Sequence, residues 1–231
     1  MREIVLDTET TGLDPFQGHR LVEIGCIELF NRIPTGQTFH RYLNPERDMP
    51  EEAFAVHGLT DGFLKDKPLF ADVVDELIAF LGEAPLVIHN AGFDIGFLNA
   101  EFERAGRPPI TRERMVDTLL IARRKYPGGS NRLDDLCVRY AIDNSRRTKH
   151  GALLDAELLA EVYVELIDAR QAQLILSRAA VSALAAGEPI IVRERIMPLV
   201  VRITEEERAA HRAFIATLGD HAIWRDYLSP D

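Results

Sequence analysis

Three stretches of core-type sequence end in carboxylates, and any fold this chain adopts has to satisfy all three. Ile4-Val5-Leu6 runs into Asp7-Thr8-Glu9-Thr10-Thr11-Gly12, and Leu86-Val87-Ile88 leads through His89-Asn90-Ala91-Gly92-Phe93 to Asp94. His150-Gly151-Ala152-Leu153-Leu154-Asp155 opens a segment whose apolar stripe is Leu154, Leu158, Val162 and Leu166. A carboxylate at the edge of a core is costly unless a cation or hydrogen bonds compensate it. Three such positions in one chain point to one shared site for hard divalent metals.

The spacing supports that reading. Asp7 and Glu9 are two apart, so on a strand they share a face and repel each other unless a cation lies between them. Ligation by carboxylates, without Cys or paired His, selects Mg²⁺ or Mn²⁺ over zinc. Four carboxylates (Asp7, Glu9, Asp94, Asp155) on three elements suit two ions ~3.5–4 Å apart, an arrangement used for in-line attack at phosphorus. Such a reaction needs a base. Of the seven histidines, His150 lies in a loop five residues before Asp155, free to swing toward the attacking water, and an imidazole titrates near neutral pH. Singly, each acid has an ordinary explanation: Asp7 capping a turn with Thr8 and Thr10, Asp94 as a helix cap, Asp155 as a solvated helix position. Their joint occurrence makes those explanations improbable.

The pattern predicts an α/β architecture, a mixed sheet flanked by helices. Glu3–Asp7 reads as a strand ending at the acids, Leu21–Phe30 as a longer one, Asn31–Gly36 as a turn and Gln37–Leu43 as a third strand, together a meander. A short helix follows Pro50 through Val56, and a longer one spans Leu69–Leu81 to Gly82. Leu86–His89 is a fourth strand, followed by a helix over Phe93–Ala105. Met115–Asp117 is an edge strand, and helices cover Thr118–Lys125 and Arg132–Tyr140. The 231 residues thus divide into a main domain (1–169), a tether (170–203) and a small helical tail (204–231). The tail opens on the capping box Thr204-Glu205-Glu206-Glu207. Its Phe214, Ile223, Trp224 and Leu228 are too apolar for so short a piece to bury alone, which predicts a partner surface.

Composition narrows the class. With 46 % hydrophobic residues the chain can build a core, and no run is long enough to span a membrane. The start, Met1-Arg2-Glu3, predicts no secretory leader, and Cys26 and Cys137 read as buried thiols of a reducing cytoplasm. A net charge of −10 argues against coating nucleic acid by phosphate neutralisation. Residues 111–150 nevertheless hold ten Lys/Arg against five acids, enough for a short contact with phosphates.

The three acidic segments resemble motifs Exo I, II and III of the DEDD exonuclease superfamily. His150…Asp155 is similar to the His-x4-Asp third motif of its DEDDh branch, whereas the DEDDy branch would carry Tyr in place of Gly151. More narrowly, Ile4–Gly12, Phe54-Ala55-Val56-His57-Gly58, Val87–Phe97 and Asp143–Tyr163 resemble the epsilon family of proofreading subunits of bacterial DNA polymerase III, over residues 3–167. The resemblance implies a ribonuclease H-like fold and a 3′→5′ exonuclease acting on a DNA 3′ end. Asp7, Glu9, Asp94 and Asp155 match the family's metal ligands and His150 its general base. Asp7, Glu9, Glu52, His57 and Asp155 match the positions that hold the terminal nucleotide, and Asn90 stands where it would orient Asp94. Gln171, Leu174 and Leu176 resemble a sliding-clamp-binding peptide. The tail resembles the segment that tethers the exonuclease to the polymerase (alpha) subunit, and a small theta-like accessory subunit is a further implied partner. Two other readings of the same residues are an RNA-trimming exonuclease and an inactive adaptor between clamp and polymerase.

Overall fold

The computed structural model describes residues 1–169 and 203–218. The chain divides into two compact units, residues 1–173 and 174–231. Gln171, Leu174 and Leu176, Trp224 and Leu228, and nearly all of the expected tether lie outside the described residues.

Five strands of the first unit form one mixed sheet. They are β1 (Arg2–Thr10), β2 (Leu21–Phe30), β3 (Ile33–Tyr42), β4 (Leu86–Ile88) and β5 (Met115–Asp117), in the order β3-β2-β1-β4-β5. The first three pair antiparallel, while β4 runs parallel to both β1 and β5. The expected meander is present, with two differences. β1 continues three residues past Asp7, so that Glu9 as well as Asp7 is a strand residue. The turn is only Asn31-Arg32, both with positive φ (51° and 70°), as a two-residue hairpin of the twist-matched kind requires. Pro34 and Gly36 disguise the beginning of β3, but at an exposed sheet edge neither breaks a needed ladder.

The helices are α1 (Glu51–His57), α2 (Asp61–Leu64), α3 (Phe70–Leu81), α4 (Ala91–Arg104), α5 (Thr118–Lys125), α6 (Leu133–Tyr140) and α7 (Ala152–Leu166). Helix α4 begins two residues earlier than its apolar spacing suggests, and α2 carries no readable periodicity in four residues. Alternation along the strands divides the core in two. Ile4, Leu6, Ile24 and Ile88 pack with Val73 and Leu77 of α3 and Ile95, Leu98 and Phe102 of α4. On the other face Val5, Ile27, Leu29 and Val87 pack with Ala122 of α5, Leu136 and Cys137 of α6, and Leu158, Leu159 and Val162 of α7. Each fully buried aliphatic side chain contributes about 1.5–3 kcal/mol, which offsets the cost of polar groups at the sheet's end. Cys26 and Cys137 are buried free thiols.

In the second unit, α8 (Glu205–Thr217) starts at Thr204, whose hydroxyl accepts from the Glu207 amide while the Glu207 carboxylate accepts from the Thr204 amide. The capping box read from the sequence is therefore formed. Among the described residues no helix is long and apolar enough to cross a membrane.

Candidate active site

Ladder pairing between β1 and β4 covers only Ile4–Val5 and Leu86–Val87. Beyond that point β1 runs on past the end of β4 and carries Asp7–Thr10 to the carboxyl end of the parallel strands, where open α/β sheets bind ligands. Asp7 and Glu9 share a strand face with Val5, the face on which α7 packs. Asp7 stands opposite Gly25 on β2. A Cβ at Gly25 would lie 2.3 Å from the backbone of Ala152 and Leu153. The absence of a side chain there lets the first turn of α7 sit directly on β2, bringing Asp155 to the acids of β1.

Asp94 arrives from the other side. Asn90 adopts a left-handed conformation (φ 68°) between β4 and α4, one that Asn tolerates better than most residues. Its backbone amide donates to the Asp117 carboxylate at 3.2 Å. The sharp turn puts Asp94 in the first turn of α4, 3 % exposed, where the Thr8 hydroxyl donates to it at 2.7 Å. The orienting contact expected of Asn90 is thus made by Thr8; the Asn90 side chain is exposed and makes no hydrogen bond to Asp94 among the described residues. Strand alternation explains why, since Thr8 points opposite to Asp7 and Glu9, toward α4.

Glu9, His150 and Asp155 each offer a ligand atom, and these atoms lie within 4.8 Å of one another. Asp7 and Asp94 are coupled to this group electrostatically. Burial, then the charges of Asp94, Glu9 and Asp155, push Asp7 well above the usual carboxylate range. Burial, then Asp155, Glu23 and Asp94, push Glu9 up to about 8. Burial pushes Asp94 up to about 7, against the Thr8 hydrogen bond. Asp155 differs: burial raises it, but Arg147 and His150 together outweigh burial and hold it below its usual range.

Arg147 is the residue that the sequence reading did not single out. Its guanidinium, 7 % exposed, forks onto Asp155 with both contacts at 2.6 Å, reaches Asp134 at 2.6 Å and touches His150 Nδ1 at 2.8 Å. The only signal was an Arg three residues before the candidate base, within a run already dense in cations. His150 is exposed, its Nδ1 3.3 Å from Asp155. Its loop is fastened to α1: the His150 amide donates to the Val56 carbonyl at 3.3 Å, and Lys149 Nζ donates to the Phe54 and Ala55 carbonyls at 3.4 and 3.5 Å.

A cavity of about 1500 Å³ opens over these residues. It is lined by Asp7, Glu9, Asp94, His150 and Asp155 and also by Glu52, His57 and Asn90, so every site residue predicted within the main domain faces one space. Glu52 is exposed on α1. His57 is 6 % exposed; its Nδ1 accepts from the Leu59 amide at 3.0 Å, and its Nε2 makes no hydrogen bond among the described residues. Burial lowers the proton affinity of this ring. The donor set fits hard divalent cations. It consists of carboxylate oxygens with one imidazole, buried and crowded enough that Asp7, Glu9 and Asp94 all hold their protons more tightly than usual, with a guanidinium already drawn to Asp155.

A model of the family described as Exonuclease (RNase T type) matches residues 4–163. The DNA polymerase III subunit epsilon of Rickettsia conorii is 48 % identical over 222 residues, covering 94 % of this chain and 96 % of the relative. The subunit of the same name from Escherichia coli is 46 % identical over 237 residues, 97 % of each. Among solved structures, the nuclease domain of 3′hExo, a DEDDh family member bound to rAMP, superposes with a TM-score of 0.61 at 19 % identity, covering 73 % of this chain and 92 % of that one. The last likeness establishes the ribonuclease H-like fold.

Proposed function

Because the chain belongs to the exonuclease family, and within it to the epsilon subunits of bacterial DNA polymerase III, we propose that it is the 3′→5′ exonuclease that removes mispaired nucleotides from a primer end during replication. The observation that carries this reading is the meeting of Asp7, Glu9, Asp94 and Asp155 beside an exposed His150 in one cavity.

Asp7, Glu9, Asp94 and Asp155 would hold two divalent cations, Mg²⁺ or Mn²⁺, whose charge would neutralise the scissile phosphate and acidify the attacking water. Thr8 fixes the rotamer of Asp94, and the seat of α7 on Gly25 fixes Asp155. His150, on a loop open to the cavity, takes the proton as the water oxygen attacks phosphorus. The bond from phosphorus to the 3′ oxygen breaks, that oxygen acquires a proton, and a nucleoside 5′-monophosphate leaves. On α1, Glu52 accepts a hydrogen bond from the terminal 3′-hydroxyl. His57, at the end of the same helix and lining the cavity, meets the sugar or base of the same nucleotide. The tail from residue 204 docks on the polymerase (alpha) subunit, a role supported by the exposure of Phe214 on α8 and Leu218 just past its end. Gln171, Leu174 and Leu176 engage the sliding clamp, and a theta-like subunit completes the assembly.

The test is cleavage of 5′-labelled single-stranded DNA. Shortening from the 3′ end is expected with Mg²⁺ or Mn²⁺, with Asp7→Asn or excess EDTA lowering the rate at least a hundredfold, on the order of 3 kcal/mol of transition-state stabilisation. Undiminished cleavage in either case refutes the reading. An RNA oligonucleotide degraded faster than matched DNA reassigns the site to RNA trimming.

A further inference from the structure

The cavity is larger than one nucleotide requires. Single-ligand pockets run to about 300–1000 Å³, against about 1500 Å³ here. The acids occupy the region where β1, α4 and α7 meet, and the loop after β1 and helix α1 form one wall. A further wall is a single stretch of chain, from Leu119 and Arg123 on α5 through Pro127, Gly128, Gly129 and Asn131 to Arg132 and Leu133 at the start of α6.

That wall carries the cavity's unspent positive charge. Arg147 also lines the cavity, but its guanidinium is taken up by Asp155 and Asp134. Arg123 and Arg132 line it too, and both are exposed. Among the described residues neither makes an ion pair or a side-chain hydrogen bond. The charged or titratable neighbours of Arg123 are His89 and, at the head of α5, Asp117; Asp117 already accepts from the Leu119 and Asn90 amides. The acid nearest Arg132 in the lining, Asp134, is held by Arg147 and Asn144. Exposed guanidiniums need no partner for folding, so these two are free to meet a ligand that enters the cleft. They suit an anionic ligand that enters with its charge spread along its length.

We propose that the α5–α6 wall is a phosphate track, on which Arg123 and Arg132 bind successive phosphates of the strand on the 5′ side of the scissile bond. This deepens the nuclease reading and rests on it. A strand whose end sits on α1 and whose last phosphodiester lies over the acids has to leave along another part of the lining, and this wall is the one with free cations. Guanidinium recognises phosphate in a planar, bidentate way. Gly128 and Gly129, which carry no side chain, let a backbone approach closely.

The test compares two substrates of the full chain. The p-nitrophenyl ester of thymidine 5′-monophosphate contains a single phosphodiester and no upstream phosphates, whereas a short oligothymidylate has both the bond and the track ligand. In the Arg123→Gln/Arg132→Gln double variant, kcat/KM for the ester stays within about twofold of wild type while KM for the oligonucleotide rises roughly tenfold or more. Binding of fluorescein-labelled oligothymidylate, measured in a His150→Ala background to suppress cleavage, loses about 1.4 from the slope of log affinity against log salt, or ~0.7 per lost phosphate contact. Arg→Lys substitutions retain most of that slope. An unchanged oligonucleotide KM and salt slope overturn the proposal, as does an equal loss on both substrates, which would place the arginines at the reacting phosphate instead. Wild-type protein that cleaves neither substrate sinks the nuclease reading and the track with it.

Discussion

Residue by residue, the site is a balance between crowded anions and one buried cation. Arg147 neutralises Asp155 from within the protein, so the Asp155 oxygens that would ligate a metal are already shared with the guanidinium. Arg147→Met leaves Asp155 buried without its partner, and breaking such a pair costs about 3–5 kcal/mol. Thermal denaturation in EDTA should show that loss, and added Mg²⁺ should restore part of it. The other acids set a pH dependence. Glu9 at about 8 and Asp94 at about 7 lie above their unfolded values, so the folded chain binds more protons than the unfolded one and loses stability as pH rises through that range. His57 and His89, which burial keeps neutral, act in the opposite direction only below about pH 6.5. In EDTA, Tm is therefore expected to fall between pH 6.5 and 8.5. Saturating Mg²⁺ should flatten that fall and release protons on binding; a Tm rising with pH in EDTA would contradict the assignment. The acids and His150 were legible because carboxylates at the ends of apolar runs are anomalous. Arg147 was not, since an arginine in a basic run carries no mark of whether it faces solvent or a buried carboxylate.

At the scale of elements, positions depend on contacts that no periodicity reveals. The meander, the edge strand β5 and helix α5 follow from alternation and breakers. The continuation of β1 to Thr10 does not, because polar residues there read as the end of a strand until α4 and α7 are seen to cover both faces. The approach of α7 to β2 is equally silent in the pattern, where Gly25 is only a gap in an apolar run. Gly25→Ala drives a methyl into the Ala152–Leu153 backbone. The helix has to lift, at a cost of about 1–3 kcal/mol, and Asp155 shifts with it. The expected result is a lower Tm together with a fall in kcat that exceeds any rise in KM.

For the whole molecule, the division into two compact units suits the proposed separation of chemistry from attachment. A chain ending at residue 169 is expected to keep its rate on single-stranded DNA and to lose co-purification with the polymerase subunit. A truncated protein that still co-purifies would move the docking surface onto the main domain. The main domain was legible almost throughout, because its motifs are spaced by the sheet they join. The tail offered a capping box and apolar residues, which specify a helix and leave open what its apolar side chains meet. One joint in the main domain has a consequence for fidelity. The loop bearing His150 hangs from the carbonyls of α1 through its own amide and through Lys149. In the proposed reaction the proton acceptor and the surface that takes the last nucleotide therefore rest on one support, so that a change displacing α1 would displace both. Discrimination against a badly seated strand end would then depend on that shared support rather than on a separate gate.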